Sequence, residues 1–122
     1  MLTLTKDNYD TTIQENEIVV IDFWAQWCAP CKQYDGIFQK MSQKYPEITF
    51  GKLNTEEEMG ISDHFFIQTI PTTVLMKAST VVFKKPGLLS SEELIDLIEQ
   101  IKVIDMDQFL AQKAAKKAAR RG

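Results

Sequence analysis

Ile18-Val19-Val20-Ile21-Asp22-Phe23-Trp24-Ala25-Gln26-Trp27-Cys28-Ala29-Pro30-Cys31-Lys32 decides the fold of this 122-residue chain. Its first seven residues are apolar except Asp22, which suits a strand buried on both faces in a sheet covered by helices. Two cysteines three apart follow. After them Tyr34, Phe38, Met41 and Tyr45 recur at helical spacing, predicting a helix over 31–45 that Pro46 ends and Gly36 weakens or bends. A strand feeding Cys-x-x-Cys at a helix start puts the first sulfur where backbone N–H groups and the positive helix end stabilise a thiolate.

The same spacing serves zinc, which takes four ligands in a structural site. Cys28 and Cys31 are the chain's two cysteines and His64 its one histidine, so carboxylates would have to complete a shell. A purely structural disulfide is the other alternative, but so short a loop removes little chain entropy, and small disulfide-stapled domains carry more cysteines. Redox chemistry is the favoured reading. No bound metal or organic cofactor is expected, because the cysteine pair is itself the redox group.

The length fits one domain, and 44% hydrophobic residues suffice for one core. The opening Met1-Leu2-Thr3-Leu4-Thr5-Lys6-Asp7 lacks the apolar core and cleavage site of a signal peptide. No apolar stretch approaches the roughly 20 residues of a membrane span, so a soluble, cytoplasmic protein is expected.

Strand and helix signals alternate along the rest. Leu2 and Leu4 begin a short strand, and Asp7 or Asn8 is placed to cap a helix through Tyr9 and Ile13. Ile48–Leu53 alternates as a strand does, and Glu56–Phe66 carries a helical segment. Thr72–Met76 and Val81–Lys84 read as a hairpin joined through Lys77-Ala78-Ser79-Thr80. Ser90 or Ser91 caps a helix whose apolar face is Leu94, Ile95, Leu97, Ile98 and Ile101, with Glu92 and Glu93 in its first turn. The order βαβαββα implies an α/β sandwich, parallel in its first part and finished by an antiparallel hairpin.

These residues resemble the thioredoxin family. The resemblance rests on Val20 through Lys32, then Gly51-Lys52-Leu53-Asn54, then Ile70-Pro71-Thr72, then Gly87, in order and at family-like separations over about residues 1–102. It implies the thioredoxin fold, a central mixed sheet flanked by helices, and a thiol–disulfide oxidoreductase that reduces disulfides in client proteins. By the same resemblance Cys28 matches the family's exposed nucleophile and Cys31 the resolving thiol, and a flavoprotein thioredoxin reductase is the expected electron donor. A monomer is expected.

Asp22 is costly to bury among such neighbours, so a raised pKa and a role as proton acceptor for Cys31, directly or through water, are read from the residues and implied by the family. Lys52 matches a family lysine near this carboxyl; a surface lysine at a strand end is the bland alternative. Pro71 matches the family's cis-proline. With Trp27, Ala29, Pro30, Ile70 and Gly87 it would line an apolar patch that binds extended protein segments. Trp24, not Trp27, fits the core alternation.

Departures from the family are Ala29 between the cysteines, where glycine is common and the redox potential is tuned, Gly36 in place of a helix-kinking proline, and a hairpin turn without glycine. Residues 103–122 form a basic, helical extension beyond the domain of residues 1–102. The extension carries +3 and the rest −6. Met106, Phe109, Leu110 and Ala114 share a helical face there. A solvated tail, contact with an acidic or anionic partner, and packing onto the acidic body all remain open, though no nucleic-acid partner is expected. A thioredoxin-fold binding module with incidental thiols is the rival function, and a disulfide isomerase or oxidase the rival within redox chemistry. The latter is disfavoured by the Asp22 pattern and by the absence of histidine between the cysteines.

Overall fold

The computed structural model describes residues 1–121, with side chains through 119. In chain order the elements are β1 (Leu2–Thr3), α1 (Tyr9–Glu15), β2 (Ile18–Trp24), α2 (Ala29–Lys44), β3 (Thr49–Asn54), α3 (Met59–His64), β4 (Thr72–Lys77), β5 (Thr80–Pro86), α4 (Ser91–Val103) and α5 (Met106–Arg121). The sheet order is β1-β3-β2-β4-β5. The first three strands in that order are parallel, and β4 and β5 are each antiparallel to the neighbour before them.

β2 lies at the centre, as its apolar run requires. Alternate side chains go to opposite faces. Val20 joins Tyr34, Phe38, Leu94, Ile98 and Ile101 under α2 and α4, while Val19, Ile21 and Phe23 join Leu4, Ile13, Phe65 and Val74 under α1 and α3. Asp22 shares the parity of Val20 and so points toward α2. That one alternation carries a carboxyl into the protein interior beneath the helix bearing the cysteines.

Several boundaries differ from expectation for local reasons. α2 begins at Ala29 and runs unbroken past Gly36, which is exposed. α3 starts later than Glu56 because Asn54 holds the preceding turn: its Oδ1 accepts from the Glu56 N–H at 3.0 Å, and its carbonyl accepts from the Glu57 and Glu58 N–H groups. Asn8 stands at the start of α1 but does not cap it, because its side chain instead accepts from the Thr5 N–H and donates to the Thr3 carbonyl. Ser90 does cap α4, in a reciprocal pair with Glu93.

The hairpin between β4 and β5 is a two-residue turn closed by the Lys77–Thr80 pair. Ala78 (φ 51°) and Ser79 (φ 60°) are both left-handed, the geometry whose twist matches the flanking strands and for which asparagine and glycine are usually used. Lys77 is buried, and its Nζ donates to the carbonyls of Ile101, Lys102 and Ile104, which satisfies the end of α4.

α5 lies beside the edge strand β5. Phe109, Gln112, Lys113 and Lys116 line a groove with Val81 and Val82. Phe109 is half-buried, whereas Leu110 and Ala114 are exposed. The side chains of Arg120 and Arg121 lie outside the described residues. Among the described residues, no helix is long and apolar enough to cross a membrane.

Candidate redox site

Cys28 is the N-cap of α2, with extended backbone (φ −90°, ψ 108°) and Pro30 in the first turn. Its Sγ accepts from the Cys31 N–H at 3.2 Å. The two sulfurs are joined as a disulfide, with Cα atoms 5.2 Å apart. One backbone donor and the positive end of a sixteen-residue helix therefore face Cys28 Sγ, which favours negative charge there once the bond is reduced.

Cys28 is less open than the family resemblance implies. It is 4% exposed and Cys31 2%, both packed with Ala25 and against Trp24 and Ile70. Cys28 Sγ lies 3.8 Å from the Ile70 carbonyl oxygen. In the oxidised pair neither atom carries a proton, so this contact becomes a hydrogen bond only when Cys28 is a thiol.

Around this covered sulfur the residues expected to line a client patch differ in exposure. Trp27 is 71% exposed, Ala29 and Pro30 are exposed, and Ile70 is half-buried. The Ile70–Pro71 peptide is cis, and Pro71 itself is buried. Gly87 (φ +92°) donates its N–H to the Pro71 carbonyl at 2.7 Å, tying the loop after β5 to the start of β4. The Ile70 carbonyl thus meets Cys28 from a separate loop.

Asp22 is fully buried, and neither carboxyl oxygen has a hydrogen-bond partner. Burial pushes its pKa up to about 7; Lys52 opposes this and Asp35 adds to it. The register explains the neighbourhood. Asp22 is paired with Lys52 on β3 and with Thr73 on β4, so the three side chains form a row across the sheet beneath α2. Consecutive residues of α2 take the two outer members. The Tyr34 hydroxyl is 2.7 Å from Thr73 Oγ1, and Asp35 pairs with the Lys52 ammonium.

Lys52 is the register neighbour of Asp22 and its charge acts on that carboxyl, but its ammonium pairs with Asp35. Its Nζ also sits 4.8 Å above the Trp24 ring. Trp24 is half-buried at the strand end, so it is a platform for Lys52 more than a core residue. Trp24, Cys31, Lys32, Asp35 and Lys52 line a cleft of about 200 Å³, which has room for water. It joins Cys31 to the lysine beside Asp22.

Tyr34, Asp35 and Thr73 were not among the expected site residues. Tyr34 reads in sequence as one of the apolar repeats of its helix, and Thr73 as a strand residue. The signal for Asp35 is its position four residues after Cys31, which puts both on one side of α2.

The family model for thioredoxin matches residues 1–100. A Streptomyces coelicolor protein named as a thioredoxin 2 is 40% identical over 115 residues, covering 94% of this chain and 86% of the relative. The thioredoxin of Chlamydia pneumoniae is 31% identical over 97 residues, covering 80% and 94%. Among solved structures, a thioredoxin from Plasmodium falciparum superposes with a TM-score of 0.77 at 29% identity, covering 82% of this chain and 98% of that one. The matched span runs through every strand of the sheet and both cysteines, and the chain belongs to the thioredoxin family: it is a thiol–disulfide oxidoreductase that reduces protein disulfides.

Proposed function

We propose that Cys28 is the nucleophile of this reductase, Cys31 the resolving thiol and Asp22 the proton acceptor that releases Cys31. The Cys28 thiolate attacks one sulfur of a client disulfide; the client S–S bond breaks, and its other sulfur leaves as a thiolate. Cys31, whose proton passes to Asp22 directly or through water, then attacks Cys28 Sγ, and the Cys28–Cys31 bond forms as the Cys28–client bond breaks. The second client sulfur leaves as a thiolate, and two electrons have moved from the dithiol to the client. The observation that supports this reading is the Cys31 N–H on Cys28 Sγ at the start of α2, which favours charge on the first sulfur.

An extended client segment would lie on Trp27, Ala29, Pro30, Ile70, Pro71 and Gly87, with backbone groups near Ile70 available for strand-like pairing. A flavoprotein thioredoxin reductase would restore the dithiol. A dithiol that has to be kept reduced suits a reducing cytoplasm. Lys52 has a secondary role, through Asp22.

Cys31→Ser tests the assignment. Incubated with a disulfide-containing protein, it should accumulate a mixed disulfide through Cys28, seen as a mass adduct that dithiothreitol removes, while Cys28→Ser forms none. An adduct on Cys31 in Cys28→Ser, with none on Cys28 in Cys31→Ser, would reverse the roles.

A further inference from the structure

Asp22 and Lys52 are register partners on adjacent parallel strands, and strand spacing of about 4.8 Å puts an ammonium within reach of the buried carboxyl. Yet the lysine is bound elsewhere, and both Asp22 oxygens are unpartnered. The competition has a physical cause. The Asp35 side chain is 45% exposed, so its charge is solvated. Asp22 has to ionise in an apolar interior before it can attract a cation at all, which costs far more. Asp35 therefore captures Lys52 for as long as Asp22 is protonated.

We propose, on the reading of Asp22 as proton acceptor, that Asp35 is a positioning residue of the reaction: by holding Lys52 it keeps Asp22 without a counter-ion, ready to take the proton of Cys31. The titratable groups around Asp22 are Lys52 from β3 and Tyr34, Asp35 and, one turn earlier, Cys31 from α2; β4 contributes Thr73, which does not titrate. Tyr34 is committed to Thr73, and burial raises its phenol more than that bond lowers it, so it stays neutral. Lys32 also lines the cleft, but Lys52 is the cation whose charge acts on Asp22, and Asp35 decides where it points. Two effects of Asp35 act in the same sense. It adds a negative charge near Asp22 and withholds a positive one, and both strengthen proton binding by Asp22.

The experiment compares the wild type with Asp35→Ala and Asp35→Glu. The titration of the Asp22 carboxyl carbon is followed by NMR, and the pH profile of the second thiolate released from a small aromatic disulfide reports the Cys31 step. In Asp35→Ala, Lys52 is free to turn to Asp22, and the Asp22 midpoint should fall by about one pH unit or more, with Asp35→Glu restoring it. The pH profile of the second release should move with it. An Asp22 midpoint unmoved in Asp35→Ala overturns the proposal. A lowered midpoint with an unmoved pH profile would uphold the control of Asp22 by Asp35 and instead remove Asp22 from the proton step.

Discussion

The Gly87 N–H donates to the Pro71 carbonyl at 2.7 Å, so the loop that follows the sheet's edge strand is fastened to the residue that faces the cysteines' end of β4. A left-handed backbone at +92° makes that bond possible, and a Cβ at Gly87 would meet nothing within 4 Å. The demand on this position is conformational and not steric. Gly87→Ala should cost about 1–2 kcal/mol in unfolding free energy, the usual penalty of a left-handed residue with a side chain. Because the loop borders the proposed client patch, KM for a protein disulfide should rise while the rate with a small aromatic disulfide holds. Equal effects on both substrates would show that the loop does not touch clients.

Asp22 makes stability depend on pH with a definite sign. Its pKa stands near 7 in the folded chain against an ordinary 3.8, so between those values the native state holds a proton that the unfolded chain has lost. Stability then falls as pH rises through this window, and the penalty is complete above about pH 7. Asp22→Asn removes the ionisable group. Relative to wild type, the oxidised variant should gain up to about 4 kcal/mol between pH 4 and pH 8, read from urea unfolding at several pH values. An unpartnered buried amide costs the same at every pH, so the pH-dependent part is the clean readout. A gain that does not vary with pH would mean that Asp22 titrates normally.

Gly36 illustrates a family departure that changes less than expected. It sits exposed inside an unbroken α2, with open space where a Cβ would go. Gly36→Ala should therefore stabilise the protein by about 1 kcal/mol, the helix-interior difference between the two residues, and leave disulfide reduction unaltered. Thermal unfolding of the two proteins decides it, and a loss of stability would place the helix under a constraint that glycine relieves.

Much of the fold is legible because β2 announces itself. Seven residues with a single polar member define a central strand, and their alternation says that Asp22 faces the same side as Val20. The cysteine pair and the helical spacing of Tyr34, Phe38 and Met41 then place the site at a helix start. What sequence could not show is how side chains from different elements share partners. Lys52 is expected near Asp22 only through the family resemblance, and the capture of Lys52 by Asp35 depends on α2 crossing the sheet at the row of Lys52, Asp22 and Thr73. The burial of Cys28 likewise comes from Ile70, forty-two residues away. Lys77 looked like a turn residue, and its role at the end of α4 appears only once that end is brought beneath the hairpin.

The extension of residues 103–122 is, we propose, separable from catalysis and protective of the sheet. β5 has one strand neighbour, so its outer edge is open to pairing with another chain unless something lies along it. The side of α5 that bears Phe109, Gln112, Lys113 and Lys116 takes that place, and its lysines set charge beside the strand. A chain ending at Asp105 retains the carbonyls that Lys77 needs at Ile101, Lys102 and Ile104, so the body should stay folded. Loss of the half-buried Phe109 should cost about 1–2 kcal/mol. Light scattering at high concentration should then show self-association that the full chain lacks, while the rate of protein disulfide reduction is retained. A truncated chain that stays monomeric but reduces acidic protein substrates more slowly, with the deficit vanishing at high salt, would assign the basic helix to client attraction instead, since screening acts on charge and leaves an exposed strand edge unchanged.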